Sequence, residues 1–295
     1  MDPLAILIVM TAAMALGAVA AVIGRFVARR EPTLLVPVAL AVATCAALVQ
    51  QEGWPTRAPA GGTLALTPMW ASIVLVASAL ALATIVDVLA PRVWRESRAR
   101  PLIIAVVSAA IVGALLRLPR ADSVGVAYLA AGATFVLVVA TRTLAARHRG
   151  FGWIAAISFA CASTAALVLH SGFAKAGVVA GAASAALGAV ALVSWRTRTG
   201  LGHAANATAL ALLASFAALG RAYADDARPL FPAWIWLIPV AAPLAAWVAE
   251  APALARRPRL ASVVRWAAPL TLAFGAVGLA FVVGAPAEPA NPYAP

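Results

Sequence analysis

MWASIVLVASALALATIVDVLAPRVWRESRARPLIIAVVSAAIVGALL, residues 69–116, sets two apolar stretches on either side of a short turn that holds Arg92, Arg95, Arg98 and Arg100. A run of roughly 20 apolar residues matches the length a helix needs to cross the hydrocarbon of a bilayer. The motif of apolar stretch, charged turn and apolar stretch recurs from one end of the chain to the other. Composition agrees: 64% of residues are hydrophobic and 11% charged, with a mean hydropathy of +0.97. A bilayer is the solvent such a chain is built for.

Working outward from this segment, ten charge-poor windows bounded by Arg, Pro or Gly read as spans. They are Leu4 to Ile23, Thr33 to Val49, Met69 to Leu89, Pro101 to Leu116, Val124 to Ala140, Trp153 to Leu169, Gly177 to Val193, Ala204 to Leu219, Trp234 to Ala249 and Trp266 to Val283. Some are short for a full crossing, so flanking residues such as Arg117 must snorkel or the helices must run further. Lipid cannot satisfy unpaired backbone groups, and no stretch alternates polar with apolar as a barrel strand does. The expectation is an all-α polytopic membrane protein of about ten transmembrane helices. It forms a single transmembrane helical domain over residues 1–284, followed by a disordered Pro/Ala-rich tail at 285–295. The longest gap, Gln50 to Pro68, carries Trp54, Pro55, Pro59, Gly61 and Gly62 and reads as a surface loop.

The gaps set the orientation. Taken in order, the odd gaps hold 16 of the basic residues and the even gaps hold 6. Loops rich in Arg and Lys stay in the cytoplasm. Both termini are therefore expected outside, in a bacterial-type inner (plasma) membrane with its Arg-rich loops cytoplasmic. The net charge of +12 has the same origin. The arginines are spread over short turns without interleaved aromatics, which argues against nucleic acid and for lipid headgroups as the partner. Asp2 stands where a signal peptide would be basic, so the first stretch reads as a retained span. Cys45 and Cys161 fall inside spans and imply neither a disulfide nor a redox motif.

Short identities suggest an internal parallel repeat of spans 1–4 and 7–10. Ala15-Leu16-Gly17-Ala18-Val19-Ala20 matches Ala186-Leu187-Gly188-Ala189-Val190-Ala191. At the same offset, Ala43-Thr44-Cys45-Ala46-Ala47-Leu48 resembles Ala214-Ser215-Phe216-Ala217-Ala218-Leu219. The repeat would cover 1–120 and 173–284, with a hairpin inserted at 121–172. The competing reading is chance identity in a chain rich in Ala, Leu and Val.

Ionisable groups at membrane depth are costly and mark functional candidates. Asp87 and Glu250 each close a span near the arginine-rich side. The alternative for each is an interfacial ion pair, Asp87 with Arg92 or Arg95 and Glu250 near Arg256. His170 and Lys175, on the other side, could bind an anion or relay a proton, or simply sit at helix ends. Pro239 and Pro243 lie inside the ninth span and predict a discontinuous helix beside a substrate path, or else a structural kink. Gly177, Gly181 and Gly188 give the seventh span a face for close helix packing. Arg221 to Asp226 reads as a solvated loop.

No metal site, cofactor fingerprint or catalytic constellation emerges. His148, His170 and His203 lack metal-ligand or haem spacing. The expected function is a small-solute permease with its path near the third and ninth helices. A non-catalytic structural or assembly subunit of a larger membrane complex is the alternative, and a homo-oligomer or other membrane subunits would be its partners. An enzyme acting on a lipid-borne substrate ranks third, because its carboxylates and His170 fall on opposite sides.

Overall fold

Lipid offers the backbone no hydrogen bonds, so each apolar stretch must satisfy its own N–H and C=O groups as a helix. In the computed structural model every regular element among the described residues is helical. The structure describes residues 3–27, 35–52, 71–91, 93–94, 97–116, 124–147, 151–198, 200–227 and 232–283. The helices are α1 (Pro3–Val27), α2 (Leu35–Glu52), α3 (Ala71–Leu89), α4 (Arg100–Leu116) and α5 (Val124–Arg147). They continue with α6 (Phe151–His170), α7 (Ala174–Thr197), α8 (His203–Ala227), the irregular α9 (Ala233–Glu250) and α10 (Pro258–Val283). Among the described residues eight of these are long and apolar enough to cross a membrane, while α2 and α4 are shorter apolar helices. The chain is a multi-pass α-helical membrane protein.

Several helices outrun their charge-free windows. α5 takes in Arg142 and Arg147, α10 takes in Arg259 and Arg265, and α8 continues to Ala227. The segment from Arg221 to Asp226, expected as a loop, is therefore helical backbone. Arginine does not end a helix, because its long stem carries the charge back toward water. The loop beyond Glu52 up to Pro68 and the tail at 285–295 lie outside the described residues.

Burial separates the helices more sharply than hydropathy does. The spanning part of α8 is 89% buried and those of α6 and α7 are 72% buried, against 28% for α1 and 22% for α10. α6, α7 and α8 thus form the interior. α7 packs against α1, α2 and α6, and α6 also meets α10. α8 borders α3, α4, α5 and α6.

Small residues decide which helices come closest. A Cβ on Gly17 of α1 would run into the backbone carbonyl of Ala186 in α7, so only glycine permits that approach. On α7, Gly181 faces Met10 of α1, Gly177 faces Leu169 and Ala165 of α6, and Gly188 faces Ser158 of α6. The pairs Met10/Gly181 and Gly17/Ala186 advance in the same direction, so α1 and α7 run parallel. Gly177/Leu169 and Gly188/Ser158 advance oppositely, making α6 and α7 an antiparallel hairpin. Two buried serines clasp that hairpin. Ser158 Oγ donates to the Ser184 carbonyl and Ser184 Oγ to the Ser158 carbonyl, each at 2.9 Å.

α9 departs from regular helix. A 3₁₀ turn (Ala233–Trp236) leads into five α-helical residues (Leu237–Ala241) and a 3₁₀ stretch (Ala242–Glu250). Pro243 has no N–H to give the Pro239 carbonyl. The Ala242 N–H bonds that carbonyl instead, tightening the turn to the 3₁₀ spacing.

Gly17→Leu should force α1 off α7 and destabilise the protein by about 1–3 kcal/mol, the usual range for overpacking. Gly132→Leu, at a position where an added Cβ meets nothing within 4 Å, should be close to neutral. Thermal unfolding of both variants in the same detergent checks the contrast.

Candidate functional site

α3 ends at Leu89, just ahead of Pro91, whose ring disfavours helical backbone in the residue before it. Asp87 consequently sits in the last turn of α3. The chain then reverses, and Arg100 opens α4 facing back toward α3. Arg100 Nε donates to Asp87 Oδ1 at 3.0 Å and Arg100 Nη2 to Asp87 Oδ2 at 2.6 Å. Trp94 Nε1, from the connecting turn, donates to Oδ1 at 2.9 Å. Both charged side chains are only 8% exposed. The two-pronged contact is the geometry in which a guanidinium and a carboxylate bind best.

Asp87 and Trp94 line a cavity of about 490 Å³ between α3, α4 and α8, with Arg100 behind the carboxylate and outside the lining. The volume lies within the roughly 300–1,000 Å³ range of small-molecule sites. Its outer wall includes Leu82 and Val86, exposed by 62% and 61%, with Ile103 and Val107 across from them. Leu82 and Val86 lie on the exposed face of α3, a helix long and apolar enough to cross a membrane. The inner wall carries the hydroxyls of Thr84, Ser108 and Thr208. Thr84 and Thr208 donate their protons to the carbonyls of Leu80 and Ala204, at 2.9 and 3.0 Å, which leaves their oxygens as acceptors.

Behind the cleft a buried polar chain ties three helices together. Trp153 Nε1 donates to Asn206 Oδ1 at 2.9 Å, and Asn206 Nδ2 donates to Thr141 Oγ1 at 3.3 Å. Thr141 donates onward to the Leu137 carbonyl at 2.7 Å. This links α6, α8 and α5 and holds the start of α8, hence the inner wall, in place. Sequence reasoning passed over Asn206. Its signal was available, since it is the one asparagine inside a predicted span and such a group must find partners.

The other candidates are dispersed. Glu250 accepts from Arg265 Nη2 at 3.0 Å, a partly exposed contact closing α9 onto α10. The described partners therefore differ from the expected ones: Arg100 for Asp87 and Arg265 for Glu250. Arg92 and Arg95 lie outside the described residues. In each hairpin the arginine that returns on the following helix faces the carboxylate closing the preceding one. His170 ends α6 with its ring 4.2 Å from that of Phe281. Lys175 is exposed in the first turn of α7. Pro239 and Pro243 are buried and line neither cavity. α9 instead contributes Trp236, Leu237 and Val240 to a space of about 50 Å³ against α5 and α8. Gly220, unremarked in the sequence, faces Trp236. Among the described residues no three His, Cys, Asp or Glu side chains group so as to hold a metal ion.

Set against protein-family models, curated proteins and solved structures, the chain matches none.

Removing one partner of a buried ion pair strands the other charge, at about 3–5 kcal/mol. Asp87→Leu and Arg100→Met should each lose that much in detergent unfolding, while the double variant should recover most of the loss. Glu250→Gln, at a partly exposed pair, should cost no more than about 1 kcal/mol.

Proposed function

We propose that this protein is a small-solute permease of the inner membrane and that its solute is a lipid-soluble molecule held in the α3–α4–α8 cleft. One observation carries this reading: a cavity of about 490 Å³ lies beside the exposed Leu82 and Val86 of α3 and is lined by a buried, hydrogen-bonded carboxylate. The solute enters sideways from the bilayer, and Asp87, held in place by Trp94 and Arg100, orients its polar end. The path runs near the third helix, and the irregular α9 supplies flexibility at a distance from it.

All ten helices cross the membrane in this reading, as one domain with the arginine-rich ends in the cytoplasm and both termini outside. Contacts between helix ends support the alternation. Gln50 at the end of α2 donates to the Ala5 carbonyl at the start of α1, at 2.9 Å. Trp247 late in α9 reaches the Ala140 carbonyl late in α5, at 3.2 Å. An internal parallel repeat is supported by the matching ion pairs Asp87–Arg100 and Glu250–Arg265, each joining the third helix of a unit to the fourth. Helix contacts weigh the other way, because α1 packs along α2 whereas α7 pairs with α6 and barely touches α8.

The alternative, a non-catalytic subunit of a membrane complex, is favoured by one fact. Ser158 and Ser184, midway along α6 and α7, spend their hydroxyls on each other's carbonyls and line neither cavity.

Purification in mild detergent at native expression, followed by mass spectrometry, should recover the protein alone. Stoichiometric membrane partners would instead make it a subunit. For topology, Gly61→Cys and Gly150→Cys are placed in a background lacking Cys45 and Cys161. An impermeant maleimide should label the first on whole cells and the second only after lysis; the reverse pattern overturns the orientation.

A further inference from the structure

We infer that the α3–α4–α8 cleft selects a neutral lipophile with a hydroxyl head: a hydrocarbon body that lies between Leu82, Val86 and Val107, and an O–H that donates to Asp87 Oδ2. This rests on the permease reading of the same cleft and names the class of molecule it takes.

The argument starts from the carboxylate's capacity. Two carboxylate oxygens offer about four lone-pair sites. Among the described residues Asp87 receives three donors: Trp94 and Arg100 Nε on Oδ1, and Arg100 Nη2 on Oδ2. Oδ2 thus retains an acceptor position, and Asp87 lines the cavity whereas Arg100 does not. A group entering the cleft meets an acceptor where the pocket turns polar. The hydroxyls of Thr84 and Thr208 reinforce that character, because their protons are already given to helix carbonyls.

Charge then selects the head. An anionic head would face the Asp87 carboxylate in a wall that, among the described residues, offers no cation and only a few hydroxyls, with its own hydration stripped. A cationic head would meet a carboxylate already neutralised by Arg100 in a two-pronged contact. It would have to compete with Arg100, and breaking such a buried pair is strongly unfavourable. A neutral O–H leaves the pair intact and supplies the missing donor. The body is set by the rest of the lining, which is almost entirely aliphatic and open to lipid, so the ligand arrives from the bilayer by lateral diffusion.

The test uses the full-length protein in phosphatidylcholine vesicles containing a long-chain alcohol that carries a diazirine in its chain. After illumination, adducts are mapped by mass spectrometry, and competition is measured with three unlabelled chains of equal length ending in alcohol, carboxylate or ammonium. Adducts should concentrate on α3 and α4 around Leu82, Val86 and Val107, and the alcohol should compete most strongly. Ala83→Trp, which fills the cavity from α3, should abolish them while α1 and α10 keep their background labelling. Ala79→Leu, one turn away, serves if the tryptophan variant does not fold, as judged by monodispersity in detergent. Adducts in the cleft that the carboxylate or ammonium chain displaces better would overturn the assignment of the head and leave the cleft reading standing. Labelling spread evenly over the lipid-facing surfaces of α1, α3, α4 and α10 would overturn the cleft reading itself.

Discussion

Between helices in a bilayer there is no water to expel, so apolar surface alone does not drive them together. What holds this bundle is close approach at small residues, joined to a few hydrogen bonds made where no water competes. α7 concentrates both. Its glycines let α1 and α6 close on it from two sides, and Ser184 exchanges a reciprocal pair of hydrogen bonds with Ser158. Burial is graded across the bundle: α6, α7 and α8 are largely hidden, while α1, although it closes on α7, and α10 leave most of their surface exposed.

The α3–α4 hairpin is built differently. It is joined at one end by the Asp87–Arg100 pair rather than by small residues along its length, and the space between the two helices and α8 stays open. The guanidinium and the carboxylate satisfy each other and can be buried there only because both are present. The Trp153–Asn206–Thr141 chain anchors the neighbouring wall of the cleft. Rigid supports thus surround a volume that nothing in the fold fills. The contrast with α9 is instructive. Its two prolines produce the discontinuity that their spacing implies, but the resulting irregular helix packs against α5, α6 and α10 and borders only a small space.

Much of the architecture was legible in the chain because it follows from one-dimensional requirements. The length of an apolar run is set by bilayer thickness, and a backbone in lipid must be helical, so windows such as Met69 to Leu89 correspond closely to helices such as α3. Helix ends were less legible where arginine was read as a boundary, as at α5, α8 and α10, since that side chain reaches water from inside a helix. Asp87 stood out in the sequence because a carboxylate is expensive at that depth. Its partner did not, for the chain places four arginines within nine residues and only the turn between α3 and α4 selects Arg100.

The sequence by itself determined that this is a multi-pass helical membrane protein and which few polar groups its hydrocarbon-facing stretches carry, because composition and run length act locally along the chain. Only the tertiary structure decided that α6, α7 and α8 form the interior, that Asn206 joins three helices, and that a cleft opens beside Asp87. Those outcomes depend on which small residue meets which neighbour. In spans all equally rich in Ala, Leu and Val, that choice is made by three-dimensional fit and leaves no period in the sequence.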